Sequence, residues 1–242
     1  MIFHLVRINN KKDFLEKVEE KLKKRVQTTY FYANAGSFFY LKANDFLKAL
    51  NSATNIYLNS NYLGFLIKLL SGKKIQKLNA EDFLYDLLLV CERLNKRIFL
   101  LGSDNIGVQN AVKNIKLKYK NLAISGHHGY FSSDKDVFKT INKFKPDLIL
   151  VGLGLGNQEL WVFKNSEQFK KSVVITVGNF IDILGRRKKL PPSIFKKLNL
   201  EWLYRLCKEP SRLWKRYLLG AGVMAVSFLF AIINRSNERT SK

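Results

Sequence analysis

RIFLLG (97–102), NLAISG (121–126), DLILVG (147–152) and SVVITVG (172–178) are four short apolar runs, each closing on a glycine. Between them, NIGVQNAVKNIKLKYK and KDVFKTINKFK place apolar residues at helical spacing. Strands separated by helical crossovers form βαβ units, and these predict a parallel sheet with helices on both faces. Toward the N-terminus the pattern continues. TTYFYAN (28–34) and NIYL (55–58) read as strands around the helical KANDFLKALNSA, and NAEDFLYDLLLVCERL (79–94) reads as an amphipathic helix. The acidic residues of that helix gather near its start, where the dipole favours them. No Pro/Gly/Ser-rich linker interrupts this part. The expectation is a single α/β, Rossmann-like core over residues 1–185.

Toward the C-terminus the character changes. Residues 186–216 hold eleven Lys/Arg against Glu201 and Glu209. Next comes YLLGAGVMAVSFLFAII (217–233), which is uncharged, and then Arg235, Arg239 and Lys242. As a helix rising ~1.5 Å per residue this run measures ~26 Å, short of a ~30 Å hydrocarbon core. Cations on both flanks fit a segment lying in the membrane interface, with a buried core helix as the alternative. Residues 186–242 are therefore predicted as a basic appendage with a membrane-associating segment at 217–233.

The whole chain of 242 residues carries a formal net charge of +23. That excess asks for an anionic partner: nucleic acid, an acidic membrane surface or a phosphate-rich substrate. Cys91 and Cys207 are too few for a disulfide framework or a four-cysteine zinc site. MIFHLVRINNKKDF lacks the pattern of a secretory signal, so the expected location is cytoplasmic, peripheral on the inner face of the cell membrane.

VGLGLGNQELW (151–161) sets a glycine-rich turn between a strand and a helix. Backbone amides there approach phosphate, with Gln158 and Glu159 in the first helical turn; a plain tight turn is the alternative. In SGHHGYF (125–131), His127 and His128 diverge on a turn without a carboxylate or cysteine set, so no metal site is expected. Asp134-Lys135-Asp136 imitates a metal-binding D-x-D, but it opens a helix after two serines and reads as capping.

Taken in order, LLGSDNIGV, the HHGYF turn, VGLGLGNQELW, VGNFID (177–182) and LEWLYRLCKEPSRLWKRYL (200–218) resemble the WecG/TagA/CpsF glycosyltransferases. The resemblance runs over nearly the whole chain. It implies inverting transfer of an N-acetylmannosamine-type sugar from a UDP donor, without a required metal or other cofactor. The implied acceptor is N-acetylglucosamine on a polyprenyl diphosphate, in teichoic acid, capsule or related cell-envelope synthesis. Gly152, Gly154, Gln158 and Glu159 fall on the family's G-L-G…Q-E motif as implied nucleotide or sugar contacts. Gly102 and Gly107 are then expected as a second wall. Arg205, Arg212 and Lys215 or Arg216 are expected on the diphosphates, because guanidinium groups pair bidentately with phosphate.

The departures from the family pattern are specific. Where the family reads apolar-apolar-P-D-G, with its Asp as the proposed base, this chain has Leu58, Asn59 and Ser60 for P-D-G. The family's R-V-x-G-x-D appears with Lys77 for Arg and Ala80 for Gly, keeping Asp82; T-x-N appears as Tyr32-Ala33-Asn34, keeping Asn34. An amide hydrogen-bonds a hydroxyl but does not take its proton near neutral pH. Asn59 is thus an engineered change, a natural one offset by another carboxylate such as Asp82 or Glu159, or the mark of a noncatalytic homologue. Rival functions are nucleic-acid binding, which the charge alone would allow, and a dinucleotide-dependent enzyme, for which the glycine spacing is wrong. A homo-oligomer is possible on any of these readings.

Overall fold

A computed structural model describes residues 2–41 and 43–240, with side chains described as far as residue 234. The flanking cations Arg235, Arg239 and Lys242 lie outside those described side chains. Six strands form one sheet: β1 (Thr28–Ala33), β2 (Asn55–Leu58), β3 (Ile98–Gly102), β4 (Ile124–His127), β5 (Leu148–Gly152) and β6 (Val173–Thr176). All pairings are parallel, in the order β2-β1-β6-β5-β3-β4.

Strand composition follows from burial on both sides. Alternate residues enter two separate cores: Ile98, Leu100, Leu148, Leu150 and Ile175 on one face, Phe99, Leu101, Ile149, Val151 and Val174 on the other. A strand covered twice has no polar side, hence the near-continuous apolar runs. Phe83, Leu84, Leu87 and Leu88 of the helix Ala80–Arg93 cover the first face, with Phe14 and Val18 of Lys11–Lys24. Phe46 and Leu50 of Asn44–Ser52, and Trp161 and Val162 of Asn157–Lys164, cover the second.

The strand order decides where a crevice opens. β1 and β6 are neighbours, yet the chain leaves them toward opposite faces. Phe38, following β1, packs in the second core, while Phe180 and Ile181, following β6, pack in the first. Such a divergence at the carboxyl ends of parallel strands leaves a ligand-sized gap.

The appendage folds back over that gap. Short helices Ser193–Lys197 and Glu201–Lys208 precede a helix, Pro210–Thr240, that runs along the domain. Gly220 is buried, and Tyr217, Val223, Met224, Phe228 and Ala231 are partly so, marking one side of that helix at helical period. Phe228 meets Phe3 edge-on at 6.2 Å. Leu218, Leu219, Val226, Leu229 and Phe230 face outward. By length and hydropathy Pro210–Asn234 could cross a membrane, but only 6% of its apolar window is buried. So little burial separates it from a core helix, and one of its sides packs against the domain.

Candidate active site

Two adjoining cavities, of about 350 and 80 Å³, lie beyond the carboxyl ends of β1, β2 and β6, under the appendage. Asn34, Asn59, Asn79 and Arg205 line both. The strand ends are tied by Asn59 N donating to Ala33 O (2.8 Å) and Leu78 N to Leu58 O (2.7 Å). Asn34 Oδ1 accepts from Ser37 N at 3.2 Å, fixing its side chain at the mouth of β1.

Asn59 is held by its amide nitrogen, which donates to Leu78 O (3.0 Å) and Asn79 Oδ1 (2.8 Å). Its Oδ1 has no partner among the described residues and is the atom left for a substrate hydroxyl. Asn79 Nδ2 in turn reaches Glu201 Oε1 at 3.5 Å, and Glu201 pairs with Lys77. The larger cavity has one lining carboxylate, Glu201, from the first turn of the helix Glu201–Lys208. Glu201 and Arg205 are four residues apart, so they share the helix face turned to the cavity. The sequence reading passed over Glu201, although this i,i+4 acid–base pair inside LEWLYRL was the available signal.

The two carboxylates expected to stand in for a missing base are occupied elsewhere. Asp82 Oδ2 accepts from Asn79 N at 2.8 Å and its Oδ1 from Lys196 Nζ at 2.9 Å; it orders Asn79 and holds the appendage. Glu159 is fully buried, accepting from Gly156 N (2.7 Å) and Gln158 Nε2 (2.7 Å), while Gln158 Oε1 accepts from Gly178 N (3.2 Å). Gln158 and Glu159 therefore stitch the loop after β5 to the loop after β6 from beneath. Burial pushes the Glu159 carboxyl up to about 7, against the lowering effect of these bonds.

The glycine turns also depart from expectation. A Cβ on Gly102 would meet Gly152 O at 2.6 Å, and one on Gly152 would meet Gly178 O at 2.5 Å. These glycines let the carboxyl ends of β3 and β5, and the loop after β6, approach one another closely. Gly107 packs against Ser103 and Arg187, and its N–H donates to Asp104 Oδ1 at 2.6 Å. Gly154, at φ +87°, has open space beside it and lines neither of these two cavities.

Among the expected cations, Lys77 and Arg205 line the larger cavity and Arg216 lines the smaller. Arg216 Nε is buried and donates to nothing among the described residues. Leaving a guanidinium N–H without an acceptor costs about 1–3 kcal/mol, which an anionic ligand would recover. Arg212 is instead paired with Glu209, and Lys215 is exposed over the Trp214 ring at 5.5 Å, so neither reaches the cavities. Asp134 does not cap its helix, as Ser133 does. Its Oδ1 accepts from Trp161 Nε1 at 2.8 Å, so the D-x-D imitation is a packing device.

The sequence profile described as Glycosyl transferase WecG/TagA/CpsF family matches residues 3–238. The chain belongs to that family. Relatives named N-acetylglucosaminyldiphosphoundecaprenol N-acetyl-beta-D-mannosaminyltransferase, from Staphylococcus aureus strains MW2 and NCTC 8325 / PS 47, are 39% identical over 123 residues. The aligned part covers 50% of this chain and 47% of each relative, so the chain spans about half the length of the curated relatives it matches.

Proposed function

We propose that this chain is an inverting glycosyltransferase. It moves an N-acetylmannosamine-type sugar from a UDP donor to N-acetylglucosamine carried on a polyprenyl diphosphate. The observation that carries the reading is the buried, unpartnered Nε of Arg216 beside Arg205, at a strand-end cavity in a chain of this family. Arg205 and Arg216 bind the donor diphosphate and stabilise the charge that grows on it as the glycosidic bond breaks. Asn34 lines both cavities, and Lys77 lines the larger one beside Glu201.

The acceptor hydroxyl oxygen attacks the anomeric carbon from the face opposite the leaving group. As the new C–O bond forms, the old one breaks and its electron pair leaves with UDP. Asn59 Oδ1 accepts from a second donor of the acceptor sugar, a neighbouring hydroxyl or the acetamido N–H, and so orients the ring while the attacking hydroxyl faces Glu201. The proton passes to Glu201, the carboxylate lining the larger cavity, which pairs with Lys77. No step uses a metal.

Membrane attachment through the outward side of the C-terminal helix, on the cytoplasmic leaflet, belongs to the same proposal, since the acceptor is lipid-borne. The test is UDP release with a soluble lipid-linked N-acetylglucosamine diphosphate, together with calorimetry of UDP binding. Binding of UDP with acceptor-dependent release supports the reading. Affinity for NAD or for an oligonucleotide in place of UDP refutes it.

A further inference from the structure

A third cavity, of about 660 Å³, opens at the opposite end of the sheet from the candidate active site. It lies where β3, β5 and β6 begin: Arg97, Asp147 and Ser172, each the residue before one of these strands, line it. At ~3.3 Å per residue, the strands set it roughly 15 Å from their carboxyl ends. Two helices end at the same place. Arg25 caps Lys11–Lys24 at φ +52° and Lys145 caps Asp134–Phe144 at φ +51°, and both line the cavity. Lys170 and Lys171, from the loop before β6, complete a set of five cations around one carboxylate. Helix C-termini attract cations, which accounts for Arg25 and Lys145 but not for Arg97 or Lys171.

The carboxylate is already engaged. Asp147 Oδ2 accepts from Arg97 N at 3.0 Å, and its Oδ1 stands 3.4 Å from Arg25 Nε and 3.6 Å from Lys96 Nζ. Its main chain ties the strand starts together, N donating to Arg97 O (2.9 Å) and O accepting from Val173 N (2.9 Å). Lys170 meets the exposed Glu167 at 3.5 Å, a pair worth little in water. The Arg97 guanidinium lies over the Phe144 ring at 4.7 Å. Among the described residues no carboxylate pairs with the side chains of Arg97, Lys145 or Lys171. We propose that this cavity is a second anion site, which takes a compact triphosphate group, free or carried by a nucleoside. Five cations less one carboxylate leave four positive charges. A single phosphate carries about −1.5 to −2 and leaves half of that excess unmet, whereas a linked triphosphate meets it within one small group. Arg25 and Arg97 add the planar fork that pairs with phosphate oxygens. Cations converging in a recess, rather than running as a stripe along the surface, favour a compact anion over a nucleic-acid strand. The site owes nothing to the transfer reaction.

The experiment titrates tripolyphosphate, ATP and UTP into the full chain by calorimetry at ~0.15 M salt, where long-range attraction is screened. Tripolyphosphate is expected to bind the unaltered chain and Arg216→Met alike at this site. The pair Lys145→Ala/Lys171→Ala should weaken that binding by roughly tenfold or more. Acceptor-dependent UDP release by the same pair should be unchanged, so this site and the enzymatic reading fail separately. Lys116→Ala/Lys120→Ala removes equal charge from exposed positions elsewhere and should leave the titration as it was. An equal loss in both pairs would reveal diffuse attraction to a chain of net charge +23 and overturn the site. Binding that Arg216→Met abolishes overturns it too, because the anion then occupies the active site. ATP and UTP binding about tenfold tighter than tripolyphosphate supports the site with a nucleoside-carried ligand, and equal affinities support it with a free one. A short single-stranded oligonucleotide that binds tenfold tighter than any of these, and loses affinity in Lys145→Ala/Lys171→Ala, overturns the compact ligand in favour of nucleic acid.

Discussion

Replacing Glu201 by glutamine keeps the side chain's shape and removes its ability to take a proton. Two effects of different size follow. At the barrier, loss of a general base costs about 10²–10⁴-fold in turnover, roughly 3–5 kcal/mol. In stability, Lys77 loses its counter-ion at a place where the two side chains are only 17 and 11% exposed. The glutamine oxygen still accepts from Lys77, so the cost is about 1–3 kcal/mol rather than that of an abandoned charge. That corresponds to a melting temperature lower by roughly 2–10 °C in a chain of this size. The assay is UDP release with the lipid-linked acceptor across pH, with UDP affinity measured by calorimetry. Turnover should collapse while UDP affinity changes little. Glu201→Asp, which restores an ionisable group one methylene shorter, should recover part of the rate. Turnover equal to that of the unaltered chain would refute the assignment and reduce Glu201 to a tether for the appendage. An unaltered chain that is inactive where Asn59→Asp is active would refute it equally.

Asn59→Asp should raise turnover with UDP affinity little altered, yet lower thermal stability by about 1–3 kcal/mol, because a carboxylate cannot make the two donations to Leu78 O and Asn79 Oδ1. Asn59→Ala should reproduce the stability loss without the gain, as differential scanning calorimetry beside the UDP-release assay will show. Arg216→Met should weaken UDP binding by about tenfold or more, whereas Lys215→Met, at an exposed position outside the cavities, should leave the calorimetric titration unchanged. Glu159 binds its proton more tightly folded, at about 7, than at its ordinary 4.5. Stability should therefore be greatest below pH 4.5 as far as this group is concerned, fall by a few kcal/mol toward pH 7, and level off above; Glu159→Gln should flatten that slope in urea titrations. Gly220→Val should displace the C-terminal helix, because a Cβ there would stand 2.9 Å from Ala35 O; faster proteolysis of the appendage and weaker UDP binding are the expected readouts.

The layout of strands was legible from local pattern. Each of the six runs read as strand in the sequence overlaps a strand of the sheet, and the alternating entry of their residues into two cores explains why they read as unbroken apolar stretches. The family motifs were legible as well, since they are contiguous. The carboxylate proposed as proton acceptor, Glu201, was not. Asp82 and Glu159 stood next to recognised motifs, but adjacency along the chain says nothing about which way a carboxylate faces. Asp82 turned out to be spent on Asn79 N and Lys196, and Glu159 on Gly156 N and Gln158.

Local sequence determined that this chain is a doubly covered parallel sheet with a basic, apolar-tailed appendage, because periodicity and composition act over a few residues at a time. Only the tertiary structure decided which crevice of that sheet is open. The glycine motifs stand at the ends of β3, β5 and β6, where backbone approaches backbone at Gly102, Gly152 and Gly178. The gap between β1 and β6 joins residues some 145 positions apart, Thr28 opposite Val173 in the register. Its walls are completed by Glu201, Arg205 and Arg216 from the far end of the chain. Contacts of that sequence separation arise from how whole elements pack, and no local propensity encodes them.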